Sequence, residues 1–199
     1  MTKRSLGPVA LLLAVPLEAH AHDDASWAHG VVDGARVFAG SLQYLLPVLA
    51  AALIARRGSH ASLRNDALSL IGGVTLGMFS SYVVTDALSV VVVARIQLIL
   101  LGLIVLTDLR LPAAIISPLC ILAGALVGLE HGVTPLGDPV AEPKLTLGFA
   151  LSAVAVFIAI GLVSQRFRTG WQRIAIRVLG SWLAAIGVIY VAFLIKQIR

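Results

Sequence analysis

The sequence predicts an all-α polytopic membrane protein: a bundle of six transmembrane helices behind a cleaved signal peptide. Three observations carry this prediction. First, 59% of the 199 residues are hydrophobic, 13% are charged, and the mean hydropathy is +0.97; a soluble domain has about 25% charged residues. Second, the apolar residues come in blocks close to the roughly 20 residues a helix needs to cross the hydrocarbon of a bilayer. Third, no short segments of alternating polarity occur, so a membrane β-barrel is not indicated. The expected solvent is therefore the lipid bilayer, and one compact membrane domain is expected over 22–199.

Residues 1–21 read as the signal peptide. Lys3 and Arg4 supply a positive start, residues 9–17 a short apolar core, and Ala19-His20-Ala21 a small-x-small cleavage site. The mature chain is expected to begin at His22, outside the cytoplasmic membrane. Apolar segments then span residues 37–55, 67–84, 88–106, 112–129, 145–163 and 178–195. Pro47 and Pro118 fall inside these runs, where each should kink the helix or free a carbonyl. Gly73-x-x-x-Gly77 and Gly124-x-x-x-Gly128 are small-x-x-x-small patterns that let helix backbones approach closely. Pro135, Pro139 and Pro143 predict a stiff non-helical loop over 131–144.

Charge sets the expected orientation. With the start of the mature chain outside, alternate loops place Arg56, Arg57, Arg64, Arg110, Arg166, Arg168, Arg173 and Arg177 on the cytoplasmic side. Far fewer basic residues fall outside, in keeping with the positive-inside rule. Both mature termini then face the periplasm of a bacterial inner membrane. The net charge of +5 comes from basic residues at the ends of apolar runs, so it implies no nucleic-acid partner. The single Cys120 lies in an apolar run, cannot form an internal disulfide and reads as a small buried hydrophobe.

Candidate chemistry concentrates at the end of the fourth run, in Glu130-His131-Gly132. Imidazole and carboxylate are ordinary ligands of divalent nickel, cobalt, zinc or copper. Adjacent helical residues point about 100° apart, so convergence of Glu130 and His131 on one ion requires the helix to unwind, which Gly132 would permit. Asp86, Asp138, His22 and His29 fall on the same outer side and complete the candidate metal set. Arg95 lies in the middle of an apolar run, where a charge is costly and is usually paired. Its candidate partners are Asp86, Glu130 or a helix-end carbonyl. Gln43, Tyr44 and Gln97 are the further intramembrane polar groups. No Gly-x-Ser-x-Gly, His-Glu-x-x-His or phosphate-loop motif occurs, so the sequence is not read as an enzyme.

With Ala19-His20-Ala21-His22, Gly128-Leu-Glu-His131-Gly132, Leu147-Gly148-Phe149 and Arg177-Val-Leu-Gly180 in hand, the chain resembles the hydrogenase/urease accessory membrane proteins of the HupE/UreJ type. The resemblance implies six short helices after a cleaved signal peptide, and handling of Ni2+ or Co2+ for metalloenzyme maturation. It also implies first-helix ligands in a His-Pro-x-x-Gly-x-Asp-His type motif. Here that stretch reads Val37-Phe-Ala-Gly-Ser41-Leu-Gln43-Tyr44, so Val37, Gln43 and Tyr44 stand where the family has metal-binding groups. Two expectations follow. One is a divalent-metal permease or metal-handling accessory protein centred on Glu130 and His131. The other is a non-transporting membrane subunit whose glycine-rich faces pack against a partner protein or a second copy.

Overall fold

The structure is a computed structural model, and it describes residues 27–56, 60–84, 86–109, 111–134, 140, 142–166 and 170–198. The expected signal peptide, His22 and Asp138 lie outside the described residues. Among the described residues the chain is all-helical: α1 (Trp27–Gly40), α2 (Leu42–Ala55), α3 (His60–Ser80), α4 (Ala87–Thr107), α5 (Ala113–Gly132), α6 (Pro143–Gln165) and α7 (Gly170–Ile198). Apolar segments without water must satisfy every backbone group internally, and helices do so.

Helices α4, α5, α6 and α7 are each long and apolar enough to cross a membrane. A further span arises if α1 and α2 count as one bent pair, with 77° between them. The expected apolar run over 37–55 is thus divided, and the break falls at Ser41 rather than at Pro47, which lies inside α2. Ser41 takes extended backbone (φ −114°, ψ 104°) and starts α2 anew. Gly40 before it is a poor helix former, and α1 turns aside to lie along α6. Helix α3 has 21 residues, as many as α4, but its first two turns carry Arg64, Asn65 and Asp66, and it falls outside the apolar set.

Three helix pairs make the most extensive contacts: α3 with α5, α4 with α7, and α1 with α6. Glycine lets each pair close. A Cβ on Gly73 would stand 2.1 Å from the Ile121 carbonyl oxygen, one on Gly77 2.0 Å from that of Ala125, one on Gly124 2.2 Å from that of Leu70, and one on Gly128 2.1 Å from that of Val74. The contact is reciprocal, so backbone touches backbone along the α3–α5 seam. Gly102 and Gly180 meet the α7 and α4 backbones in the same way, and Gly34 and Gly148 those of α6 and α1. Helix α2 fills the space between the pairs. Its buried stretch of Val48, Ala50, Ala51, Ala52, Leu53, Ile54 and Ala55 is small-sided enough to touch α6, α4 and α5 at once.

Ion pairs close the end where α2 and α4 stop and α7 begins. Asp108 accepts from Arg56 Nη2 at 2.8 Å and from Arg173 Nη2 at 3.2 Å. It is the one non-glycine residue with positive φ (54°) among the described residues, a conformation Asp tolerates better than most. Arg177 Nε donates to the Leu106 carbonyl at 3.0 Å. Helix α7, at 29 residues, is about 43 Å long. It therefore reaches past the roughly 30 Å hydrocarbon, and its first turns lie where these arginines meet Asp108.

Candidate functional site

The last turn of α5 holds Glu130 and His131, 3% and 1% exposed. The helix continues through Gly132, which corrects the expectation that Gly132 unwinds it. Gly132 instead admits α3: a Cβ there would stand 2.7 Å from Ser81 Oγ and 3.0 Å from the Met78 carbonyl oxygen. Glu130 and His131 therefore leave the helix in different directions.

Glu130 points to α4, where Oε1 accepts a hydrogen bond from Arg95 Nη2. Arg95 is 2% exposed, and its guanidinium carbon lies 4.9 Å from the centroid of the Tyr190 ring of α7. One arginine thus joins three helices through an ion pair and a cation–π contact. The pair leaves polar atoms over: Glu130 Oε2, Arg95 Nε and Arg95 Nη1 are buried with no hydrogen-bond partner. Gln97, two residues along α4, has both amide atoms in the same condition.

His131 points to α6. Its ring stacks flat on Phe149, with centroids 4.0 Å apart and planes 4° from parallel. Tyr44 of α2 meets both rings edge-on, at 5.8 Å from His131 and 5.0 Å from Phe149. Phe38 of α1 meets Phe149 in a T-shaped contact at 5.3 Å. Phe149 holds the imidazole by one face, and neither Nδ1 nor Nε2 has a hydrogen-bond partner. Buried polar groups are ordinarily bonded, and a neutral imidazole keeps one ring lone pair for an acceptor role or a metal. The His131 carbonyl is anchored separately, accepting from Thr134 Oγ1 at 2.6 Å.

The other expected site residues are placed as follows. Asp86 is exposed and caps α4. Oδ1 accepts from the Leu88 amide at 3.2 Å and the Ser89 amide at 3.4 Å, and Oδ2 accepts from the Ser89 hydroxyl. The Ser89 hydroxyl, more than the two amides, holds the Asp86 carboxyl below the usual carboxylate range. His29 is exposed on α1. Gln43 is half-buried, while Tyr44 is buried beside His131. Among the described residues no group of three or more His, Cys, Asp or Glu side chains stands close enough to hold a metal ion. Sequence reasoning did not single out Tyr190, nor Phe149 as the platform under His131. Their rings sit in apolar runs where one aromatic looks like another until helices are paired.

The comparisons with known proteins come to bear on this geometry. The family described as HupE / UreJ protein matches residues 9–190, most of the chain. A search of curated proteins and a search of solved structures each find no match. On the family match over nearly its whole length, the chain belongs to the HupE/UreJ family.

Proposed function

We propose that this chain crosses the bacterial inner membrane six times and passes a divalent nickel or cobalt ion toward maturation of a metalloenzyme, with His131 as the residue that meets the ion. The HupE/UreJ family is of accessory or transport type and is associated with hydrogenase and urease nickel accessory function. The observation that carries the reading is His131 itself: buried, held flat by Phe149, with both ring nitrogens unengaged by protein. The unengaged Glu130 Oε2 is the nearest carboxylate donor along the chain. One imidazole and half a carboxylate make a poor resident metal site. They suit a cargo, because an ion in transit must be held well enough to enter and loosely enough to leave. Asp86, Asp138, His22 and His29 serve in this reading to gather cations at the outer mouth.

Six crossings require α3 to span as well. Of the polar residues in its first turns, Asp66 is 1% exposed and faces α5 rather than lipid, while Arg64 and Asn65 are exposed and in this reading lie at the cytoplasmic end of the span. The test is nickel and cobalt accumulation by cells expressing the wild type, His131→Ala and Glu130→Gln. Accumulation that depends on His131 supports the reading. Accumulation equal in wild type and His131→Ala overturns it.

A second reading rests on the Arg95–Glu130 pair. A carboxylate tied to arginine is a brace between helices, and Val37, Gln43 and Tyr44 offer no imidazole or carboxylate to replace it. On that reading the chain is a non-transporting subunit that co-purifies with a membrane partner and is indifferent to His131→Ala.

A further inference from the structure

Helices α4 and α5 follow one another in the chain, yet each turns its glycines to another helix. Gly102 of α4 meets α7, and Gly124 and Gly128 of α5 meet α3. Between α4 and α5 stand long side chains instead, and a cavity of about 320 Å³ lies there. Six leucines and Ile104 line it, with Gln97 and Thr107 as the two polar residues and no charged side chain. Leu101 is buried, while Leu100, Leu103 and Leu122 are exposed, so the cavity opens on the lipid face. An apolar pocket of this size with one or two polar groups is the usual form of a small-molecule site.

Gln97 supplies the second observation. It is the middle residue of α4, ten residues from either end, or about 15 Å along the axis. It is 6% exposed, and neither Nε2 nor Oε1 has a hydrogen-bond partner. A buried amide left unbonded on both sides is costly. Thr107 is no remedy, since it lies another 15 Å or so along the helix and its hydroxyl donates to the Leu103 and Ile104 carbonyls at 2.9 Å and 3.1 Å. Arg95 leaves α4 about 200° around the axis and is held by Glu130. A buried water needs two to four polar partners, and this end of the cavity offers one amide. The partner that Gln97 lacks must therefore bring its own apolar body and enter from the lipid.

The lining narrows what that partner is. With no charged side chain at this depth, its head must be neutral. The glycerol and phosphate of a phospholipid lie at the interface, beyond reach of a residue in the middle of the span. The amide asks for an acceptor at Nε2 and a donor at Oε1, and a hydroxyl is the smallest neutral group that provides both. We propose that the α4–α5 cavity binds an uncharged lipid-soluble molecule whose polar end is a hydroxyl, anchored on Gln97 with its apolar tail along the leucines. Long-chain alcohols and quinols share this chemistry. The site uses none of the residues of the nickel reading and stands apart from it.

The test uses the purified full chain in nanodiscs and, as probe, a hexadecanol carrying a diazirine in its chain. On illumination the wild type should be labelled at cavity residues of α4 or α5, and an excess of dodecanol or of a decyl-substituted quinol should suppress that label; the stronger competitor identifies the head. The same probe lacking its hydroxyl should label lipid-facing residues at large, with no such suppression. Gln97→Leu should need roughly tenfold or more of the probe for equal labelling. Its unfolding midpoint should be no lower than that of the wild type, because it removes an unbonded buried amide. Leu122→Trp keeps Gln97 but fills the cavity from its exposed rim, and should block labelling. Four outcomes would overturn the proposal: wild-type labelling that no competitor suppresses, equal labelling of Gln97→Leu, equal and suppressible labelling by the hydroxyl-free probe, which would assign the cavity to an acyl chain, or cross-linking of cavity residues to a second copy of the chain, which would assign it to a dimer.

Discussion

Removing either member of the Arg95–Glu130 pair strands the other charge at a depth where nothing else is placed to answer it. Glu130→Gln and Arg95→Leu should each destabilise the protein by about 3–5 kcal/mol. The double variant Arg95→Leu/Glu130→Leu should recover most of that loss, because neither charge is then buried alone. Unfolding of the three variants in one detergent measures this, and a Glu130→Gln protein as stable as the wild type would contradict the pairing. At the exposed end of α4 the argument runs through pH. Asp86 has its folded pKa lowered, chiefly by Ser89. Its contribution is therefore complete above the ordinary carboxylate pKa of about 3.9 and is lost as pH falls through the lower folded value. Ser89→Ala should be less stable than the wild type at neutral pH, and the gap should close as the medium is acidified. A gap that stays constant with pH would show that Ser89 acts on something other than the charge of Asp86.

Helix seams make the sharpest predictions for whole elements. Gly77→Val puts a Cβ 2.0 Å from a backbone oxygen of α5, and backbone cannot swing aside. It should cost at least about 1–3 kcal/mol, the usual range for overpacking. Gly72→Ala, whose Cβ meets nothing within 4 Å, should be neutral or add up to about 1 kcal/mol from helix propensity. Unfolding midpoints decide it, and equal effects at the two glycines would contradict the seam. Much at this scale could be read from sequence. The apolar runs at 88–106 and 112–129 lie within a few residues of α4 and α5, because long hydrophobic blocks without water have few alternatives to a helix. The break at Ser41 was marked only by Gly40 and Ser41 inside an otherwise apolar run, and glycine and serine serve helix packing as readily as a helix end. Gly132 misled for a related reason: glycine serves unwinding and close packing alike, and only the presence of Met78 and Ser81 across the seam tells them apart.

For the whole molecule, the six-crossing reading predicts which ends face which side. A reporter fused after Arg57 should report the cytoplasm, and one fused after Arg199 the periplasm. A cytoplasmic signal from the second would remove one crossing, with α3 the first candidate to lose its span. The arginine asymmetry behind this prediction is plain in the sequence, as is the isolation of Arg95 in an apolar run. Which carboxylate answers Arg95 was not plain. Asp86 lies nearer in sequence, but it caps its own helix, and the partner proved to be Glu130, 35 residues away. The same holds for Asp66 and Ser117, 51 residues apart. Such pairings depend on how α3, α4, α5 and α7 dock, and docking is set by where glycines let backbones meet.

The central claim is that His131 meets a divalent ion. The most direct measurement is a calorimetric titration of nickel into purified wild type and into His131→Ala, with the unfolding midpoint of each protein recorded alongside. His131→Ala breaks no hydrogen bond of the ring nitrogens but removes a buried ring stacked on Phe149, so its midpoint should fall, and binding is compared at a temperature where both proteins are folded. The account predicts weak binding of nickel to the wild type, with the affinity lowered by roughly tenfold or more in His131→Ala. Equal binding by the two proteins, or no binding by the wild type, would contradict it.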